Sequence, residues 1–360
     1  MTWRAARTLT PLLALAALVL PAVARADTPP SAWDYARDPA ERDRWNLHVR
    51  VERLMHPPLL DEQGILGDLQ RDGELRLEAA RAMLEQADAA HSPDLRLRFD
   101  LAGVYRALGE AQGRDDLYRK AIGILVPAIA AAGDDSPAVT DALENLVYSY
   151  VHLDMPRQEL AAWRRYIPRL SDGRERVLAM MNMGEAEMRL GQVDDALATF
   201  RDVLRRCGEL PNTTGVSETY VLTLWDLAVA FDRSGDPRSA MDTAARALAM
   251  NVLAGTGADL IESNPNVFFV PAWERRWYVA LLYSARARDA KDARDAAEDW
   301  TIAEQQWDAY IRQATAAGGR DPYLPIARVR RERVEVERAS AARRAARLPR
   351  RPERRGPWIY

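Results

Sequence analysis

The sequence is poor in cysteine, which forms covalent cross-links, and in histidine, which ligates metals. Its 360 residues include one cysteine and four histidines. A single thiol excludes an internal disulfide, so packing must hold the chain, and Cys207 is expected to be a small buried residue. The histidines make no pair at the His-x-x-x-His spacing of helical metal sites. We therefore predict neither a metal site nor a cofactor.

Sequence patterns of known catalytic centres are also missing. The chain has no glycine-rich phosphate loop, no serine nucleophile elbow and no histidine next to its cysteine. The acidic pairs Asp115-Asp116, Asp134-Asp135 and Asp194-Asp195 precede helices, where negative charge suits the helix dipole without a catalytic role. We predict that the protein is not an enzyme.

Long apolar runs are confined to the first 26 residues. Arg4 and Arg7 precede the run from Leu12 to Val23, and Ala24-Arg25-Ala26 supplies a small-x-small cleavage pattern. These features are typical of a cleavable secretory signal, and the run is short for a membrane span of about 20 residues. We predict export, to the periplasm of a bacterium.

Lysine is nearly absent, and positive charge is concentrated near the end of the chain. Residues 326–360 carry 12 Arg against 4 Glu, whereas the whole chain has a net charge of −3. A basic tail behind an acidic body can dock on the chain itself or on an anionic envelope surface. Because export removes the usual nucleic-acid ligand, we predict no nucleic-acid partner.

Apolar residues recur with helical rather than alternating spacing, and we find no extended β-rich region. Asp38-Pro39, Ser136-Pro137 and Asp236-Pro237 each place a capping side chain before a proline that suits the first helical position. The chain is therefore predicted to be all-α, with one N-terminal helix at about 38–55 and a last helix at about 324–347.

Residues 177–208 carry the most specific pattern. Their spacing of small and large residues describes two antiparallel helices joined by a glycine-containing turn, through Met183, Gly184, Gly191, Ala196, Phe200 and Val203. This pattern resembles the tetratricopeptide repeat, a 34-residue helix–turn–helix unit. The resemblance implies an α-solenoid of antiparallel helix pairs, about 12 helices in all.

Further copies of the pattern can be aligned on this segment. Residues 221–253 match well, and residues 95–132, 140–170 and 273–316 match in degenerate form. The segment 252–272 interrupts the series, and its prolines favour an extended conformation over a helix.

These boundaries divide the chain into four parts. We assign 1–26 to the signal peptide and 27–73 to an N-terminal helix and linker. The repeats occupy 74–316, and 317–360 forms a basic cap helix and tail.

The resemblance also implies where a partner would bind. In this family the first helix of each pair lines a concave groove, and an asparagine at its sixth position bonds the main chain of an extended guest. Carried over to this sequence, the sixth positions and their groove neighbours are Asp100, Asn145, Tyr148, Met181, Asn182, Glu185, Arg189, Trp225, Asp226 and Val229. The alternative is that the four sixth-position residues are short polar residues on a solvated face; these are Asp100, Asn145, Asn182 and Asp226.

We therefore expect an exported scaffold or adaptor that binds a protein or peptide partner in the groove. The alternative is a structural subunit of an envelope complex, which would pack through its convex face or through the insertion at 252–272. The basic segment 326–360 could add a peripheral contact with an anionic envelope surface.

Overall fold

The computed structural model describes residues 2–3, 38–56, 69–133, 136–252, 255–264 and 267–349. These ranges contain fourteen α-helices and four strands of two residues each, so the all-α, helix-pair prediction is confirmed. None of these helices is both long and apolar enough to cross a bilayer. Apart from Thr2–Trp3, the predicted signal peptide lies outside the described residues, as does the tail from residue 350.

The described residues form two compact units that meet in the sequence between Arg169 and Leu170. We call residues 38–169 the N-terminal unit, and residues 170–349 with the strand Thr2–Trp3 the C-terminal unit. The predicted series of repeats at 74–316 is thus divided between two units.

The N-terminal unit contains six α-helices, in which consecutive helices pack against each other. They are α1 (Pro39–Met55), α2 (Leu69–Gln86), α3 (Leu95–Gln112), α4 (Asp115–Ala132), α5 (Ala138–His152) and α6 (Pro156–Tyr166). Short 3-10 turns occupy Ala89–His91 and Ile167–Arg169.

Helix α2 begins inside the segment that the sequence assigned to a linker ending at residue 73. Asp72 lies in its first turn, where a carboxylate suits the helix dipole. Gly73 costs such a helix only about 1 kcal/mol relative to alanine. The glycine that suggested a linker is therefore tolerated within the helix.

The C-terminal unit contains eight α-helices. They are α7 (Arg174–Arg189), α8 (Val193–Glu209), α9 (Thr214–Arg233), α10 (Pro237–Ala249), α11 (Gly257–Glu262), α12 (Glu274–Asp289), α13 (Ala293–Ala316) and α14 (Leu324–Ala345). The pairs α7–α8, α9–α10 and α12–α13 are joined by short turns, which make their helices antiparallel.

Two of the three predicted proline-associated caps form. Asp38 accepts the N–H of Ala40 at 2.9 Å, and Asp236 accepts that of Ser239 at 3.0 Å. Ser136 does not cap its helix, because α5 begins after Pro137 without a side-chain bond at its N-terminus.

The hairpin α7–α8 shows why small residues matter at the repeat positions. Phe200 is fully buried, and a Cβ on Gly184 would lie 2.5 Å from its Cε1 atom. Gly191 makes the turn with φ of 77°, in the left-handed region that glycine favours. Cys207, near the end of α8, is buried, as expected. Its burial raises the pKa of the thiol to about 11.

The insertion at 252–272 is folded rather than merely extended. The prediction of an extended conformation for the whole insertion is wrong, because helix α11 occupies Gly257–Glu262, before Pro265. The strands β2 (Asn251–Val252) and β3 (Gly255–Thr256) pair with each other before it. The strand β4 (Val267–Phe268) follows it.

The packing at Gly184 gives a first test. We expect Gly184→Ala to lower the free energy of unfolding by about 1–3 kcal/mol, because the added methyl group overpacks against the Phe200 ring. The matched control is Gly208→Ala in the same hairpin, where a Cβ meets no atom within 4 Å. Urea unfolding followed by helical circular dichroism measures both, and equal effects would contradict this account of the hairpin.

Candidate functional site

The ten predicted partner-binding residues are divided between the two units. Asp100, Asn145 and Tyr148 lie in the N-terminal unit, on α3 and α5. The other seven lie in the C-terminal unit on helices α7 and α9, at Met181, Asn182, Glu185, Arg189, Trp225, Asp226 and Val229. Each unit is therefore considered separately.

In the N-terminal unit the predicted residues already have internal partners. Asp100 is 7% exposed, and its Oδ2 lies 2.7 Å from His48 Nδ1. Asn145 accepts from Arg106 Nε at 2.8 Å and donates to the Asp141 carbonyl at 3.0 Å. These bonds use the polar atoms that a guest main chain would require.

Tyr148 is half-buried, and its ring packs edge-on to that of Trp163, with centroids 6.2 Å apart. The N-terminal unit thus connects its predicted groove residues to its own helices.

In the C-terminal unit six of the seven predicted residues are buried, and only Arg189 is half-buried. This differs from the open groove that the sequence suggested. Trp225 shows the reason most clearly, because its indole N–H donates to the Gly257 carbonyl at 2.8 Å. The folded insertion covers this tryptophan, which therefore anchors the insertion and is not exposed for recognition.

The buried side chains include a row of polar groups across α7, α9 and α12. We call Asn182, Glu185, Asp226 and Tyr278 the polar row. The Tyr278 hydroxyl donates to Asp226 Oδ1 at 2.8 Å. In the described part of the chain, neither amide atom of Asn182 has a hydrogen-bond partner, although the residue is 0% exposed. An unsatisfied buried amide is costly, so the row is polar for a reason other than packing.

Burial sets the electrostatics of the row. It raises the pKa of Asp226 to about 7, against an ordinary value of 3.8. It also raises the pKa of Glu185 well above its ordinary value, and the neighbouring Asp226 carboxylate raises it further. Burial thus favours the protonated form of both carboxyls, and a protonated carboxyl can donate as well as accept a hydrogen bond.

A short antiparallel ladder lies beside the polar row. The strand β1 (Thr2–Trp3) pairs with β4 (Val267–Phe268), and it also lies against helix α7. Phe269, next in sequence, packs edge-on to the Tyr278 ring at 5.2 Å. An extended backbone is thus accommodated between the helix that carries Asn182 and the strand that leads to Tyr278.

A second buried cluster, which sequence reasoning missed, surrounds Arg233. Its guanidinium lies 4.6 Å from the ring centroid of Trp277 and 4.1 Å from that of Tyr323, and it pairs with Glu274. Trp277 also donates to Asp232 at 3.0 Å. Trp273 and Trp277 are four residues apart, a spacing typical of one helix face, but no sequence signal placed a cation against that face.

Comparison with known proteins agrees with the repeat pattern. Residues 175–251, which include the pairs α7–α8 and α9–α10, match the tetratricopeptide repeat family. The chain is similar to the crystal structure of the yeast Tom70 at 12% identity and a TM-score of 0.26, covering 86% of this chain and 75% of that chain. No curated protein matches the sequence. Repeats of this family are protein-interaction modules, so the match supports a role in protein–protein interaction in general terms.

The buried Asp226 predicts a pH dependence of stability. A carboxyl whose pKa rises from 3.8 to about 7 on folding contributes stability below the lower value and loses it as pH rises through the upper one. Asp226→Asn keeps an oxygen that can accept from Tyr278 and removes the ionisation. We therefore expect the variant to exceed the native chain in stability by on the order of 4 kcal/mol at about pH 8, with little difference at about pH 4.

Urea unfolding between these pH values, followed by tryptophan fluorescence, measures the effect. The control is Asp242→Asn, because Asp242 is exposed and pairs with Arg288 at 2.8 Å. An unchanged pH profile in the Asp226 variant would show that this carboxyl does not carry the dependence.

Proposed function

We propose that the protein is an exported interaction scaffold whose C-terminal unit holds an extended segment of a partner polypeptide between helix α7 and strand β4. The observation that carries this proposal is the pairing of Thr2–Trp3 with Val267–Phe268 against α7. A strand edge that pairs with one extended segment can pair with another, since main-chain hydrogen bonds do not depend on side-chain identity.

The polar row would supply the side-chain contribution to binding. The unsatisfied amide of Asn182 offers one donor group and one acceptor, which match the C=O and N–H of a guest backbone. The carboxyls of Glu185 and Asp226 add further hydrogen-bonding groups near it. A guest that bonds the Asn182 amide would recover the free energy that its burial costs.

In this proposal, export removes the strand Thr2–Trp3 before a partner binds. Residues 1–26 have the features of a cleavable signal, and Thr2–Trp3 belongs to that segment. Cleavage would remove the strand that pairs with β4 and leave its position to a partner. We place the mature chain in a bacterial periplasm, where the basic segment 326–360 could also contact an anionic surface.

The competing proposal is a structural subunit that packs through its convex face or through the insertion at 252–272. The contacts of the insertion favour the scaffold instead. The carbonyl of Gly257 is bonded by Trp225, Glu262 accepts from the Tyr283 hydroxyl at 2.7 Å, and Phe269 packs on Tyr278. These groups are used within the C-terminal unit and are not exposed for assembly. Catalysis is not part of either proposal.

A labelled peptide with the sequence of residues 1–8 tests the proposal directly. We expect it to bind a chain that begins at Asp27, because the vacated edge of β4 can accept the same strand. In Asn182→Leu, binding should weaken at least tenfold, since the leucine removes the amide that faces the guest. The same variant should be about 1–2 kcal/mol more stable than the native chain, because a buried unsatisfied group is replaced by an apolar one.

Asn145→Leu is the matched control at the equivalent repeat position. Its amide bonds Arg106 and Asp141, so this variant should lose stability and leave peptide binding unchanged. Fluorescence anisotropy measures binding, and urea unfolding measures stability. Failure of the peptide to bind, or equal weakening in both variants, would overturn the proposal.

A further inference from the structure

Three metal-ligating side chains converge in the N-terminal unit, away from the polar row. His48 and Glu52 are one helical turn apart on α1, so both side chains lie on the same face. Asp100 approaches them from α3. One ligand atom of each residue lies within 4.8 Å of the other two. The search for His-x-x-x-His pairs in the sequence overlooked this arrangement, because its second ligand on α1 is a glutamate and its third is 52 residues from His48.

The geometry requires little adjustment to bind an ion. The shortest separation, between His48 Nδ1 and Asp100 Oδ2, is 2.7 Å. Ligand atoms around a tetrahedral zinc ion, at about 2.0–2.2 Å from the metal, are roughly 3.3 Å apart. The three donors would therefore move by about 1 Å or less to surround one.

The charge of the cluster also favours a cation. Two carboxylates and one imidazole carry a net negative charge, and in the described residues His48 is the sole side chain paired with Asp100. The nearby Arg96 binds Asp94 at 2.6 Å, and its guanidinium lies over the Trp45 ring. Its charge is therefore largely neutralised by Asp94.

The three side chains differ in exposure, and the more exposed ones leave a path by which an ion can enter. Asp100 is buried, whereas the side chain of His48 is 22% exposed and that of Glu52 is 45% exposed. The inner ligand is fixed by packing, and the outer two can open to solvent and close on an ion. Glu52 also lies 3.9 Å from His56 Nε2, which is a further imidazole at the mouth of the cluster.

We infer that His48, Glu52 and Asp100 form a binding site for a divalent transition-metal ion of the zinc type, which fastens helix α1 to helix α3. An imidazole ligand favours zinc and its neighbours over magnesium and calcium, which prefer oxygen ligands alone. Metal binding replaces the proton between His48 Nδ1 and the Asp100 carboxylate, and that proton passes to solvent. With three protein ligands, the ion retains one position for water or an external group.

The test is calorimetric titration of the untagged, chelator-treated full chain with zinc chloride. We expect one ion per chain and a rise in the midpoint of thermal unfolding when zinc is present. Cobalt(II) should give visible absorption bands typical of a tetrahedral site. A hundredfold excess of calcium should leave the zinc titration unchanged.

Variants separate this site from weak surface binding. Glu52→Gln should weaken zinc binding at least tenfold while preserving the helical circular dichroism, because the residue is half-exposed and the substitution is isosteric. His48→Ala should abolish binding. The matched control is His91→Ala, since His91 has the same 2.7 Å contact with Asp88 on an exposed surface but no third ligand.

Three outcomes would overturn the inference. These are no zinc uptake by the native chain, unchanged affinity in Glu52→Gln, or an equal loss of affinity in His91→Ala. Displacement of zinc by calcium would contradict the assignment to a transition-metal ion. Each readout is independent of the peptide-binding experiment, because no residue of the cluster belongs to the C-terminal unit.

Discussion

The C-terminal unit depends on one buried cation. Arg233, 4% exposed, ends helix α9 with its guanidinium between the rings of Trp277 and Tyr323. A charge removed from water to this extent is tolerated only when it is neutralised, and Glu274 provides the counter-ion. The aromatic faces add cation–π attraction, which is stronger where water is excluded. Because these four groups come from α9, α12 and the turn before α14, the ion fixes three parts of the chain at once.

The same cluster explains how the last helix is attached. Tyr323 donates to the Met188 carbonyl at the end of α7, and Arg330 donates to Asp232 Oδ1 at 2.6 Å. In α14, Val329 and Val336 are 57% and 65% exposed, whereas Val334 is buried. Helix α14 is thus attached at its start by buried polar and aromatic contacts, and it also packs along α13, with Val334 and Ala341 buried. Its other face stays exposed, as expected of a cap.

Sequence analysis predicted the structural features that depend on local residue patterns. It missed those that depend on contacts between residues far apart in the chain. The five helix pairs followed from small and large residues at repeat spacing, and Gly184 against Phe200 shows the contact that this spacing encodes. The helix in the insertion was missed because it lies before Pro265, outside the stretch between Pro265 and Pro271 to which the proline argument applies. The burial of Trp225 was missed because its partner, Gly257, lies 32 residues away in that insertion. No periodic pattern in the sequence indicates a contact between residues this far apart.

Two asparagines at equivalent repeat positions illustrate the limit of that reasoning. Asn145 and Asn182 occupy the same place in their helices, yet Asn145 bonds Arg106 and Asp141 whereas both amide atoms of Asn182 are unsatisfied. Packing cannot account for the second residue, since a leucine would fill similar space without the cost of a desolvated amide. A binding role would produce such a stability cost at Asn182 and none at Asn145. This difference is the reason why we propose recognition for the C-terminal unit and structural support for Asn145.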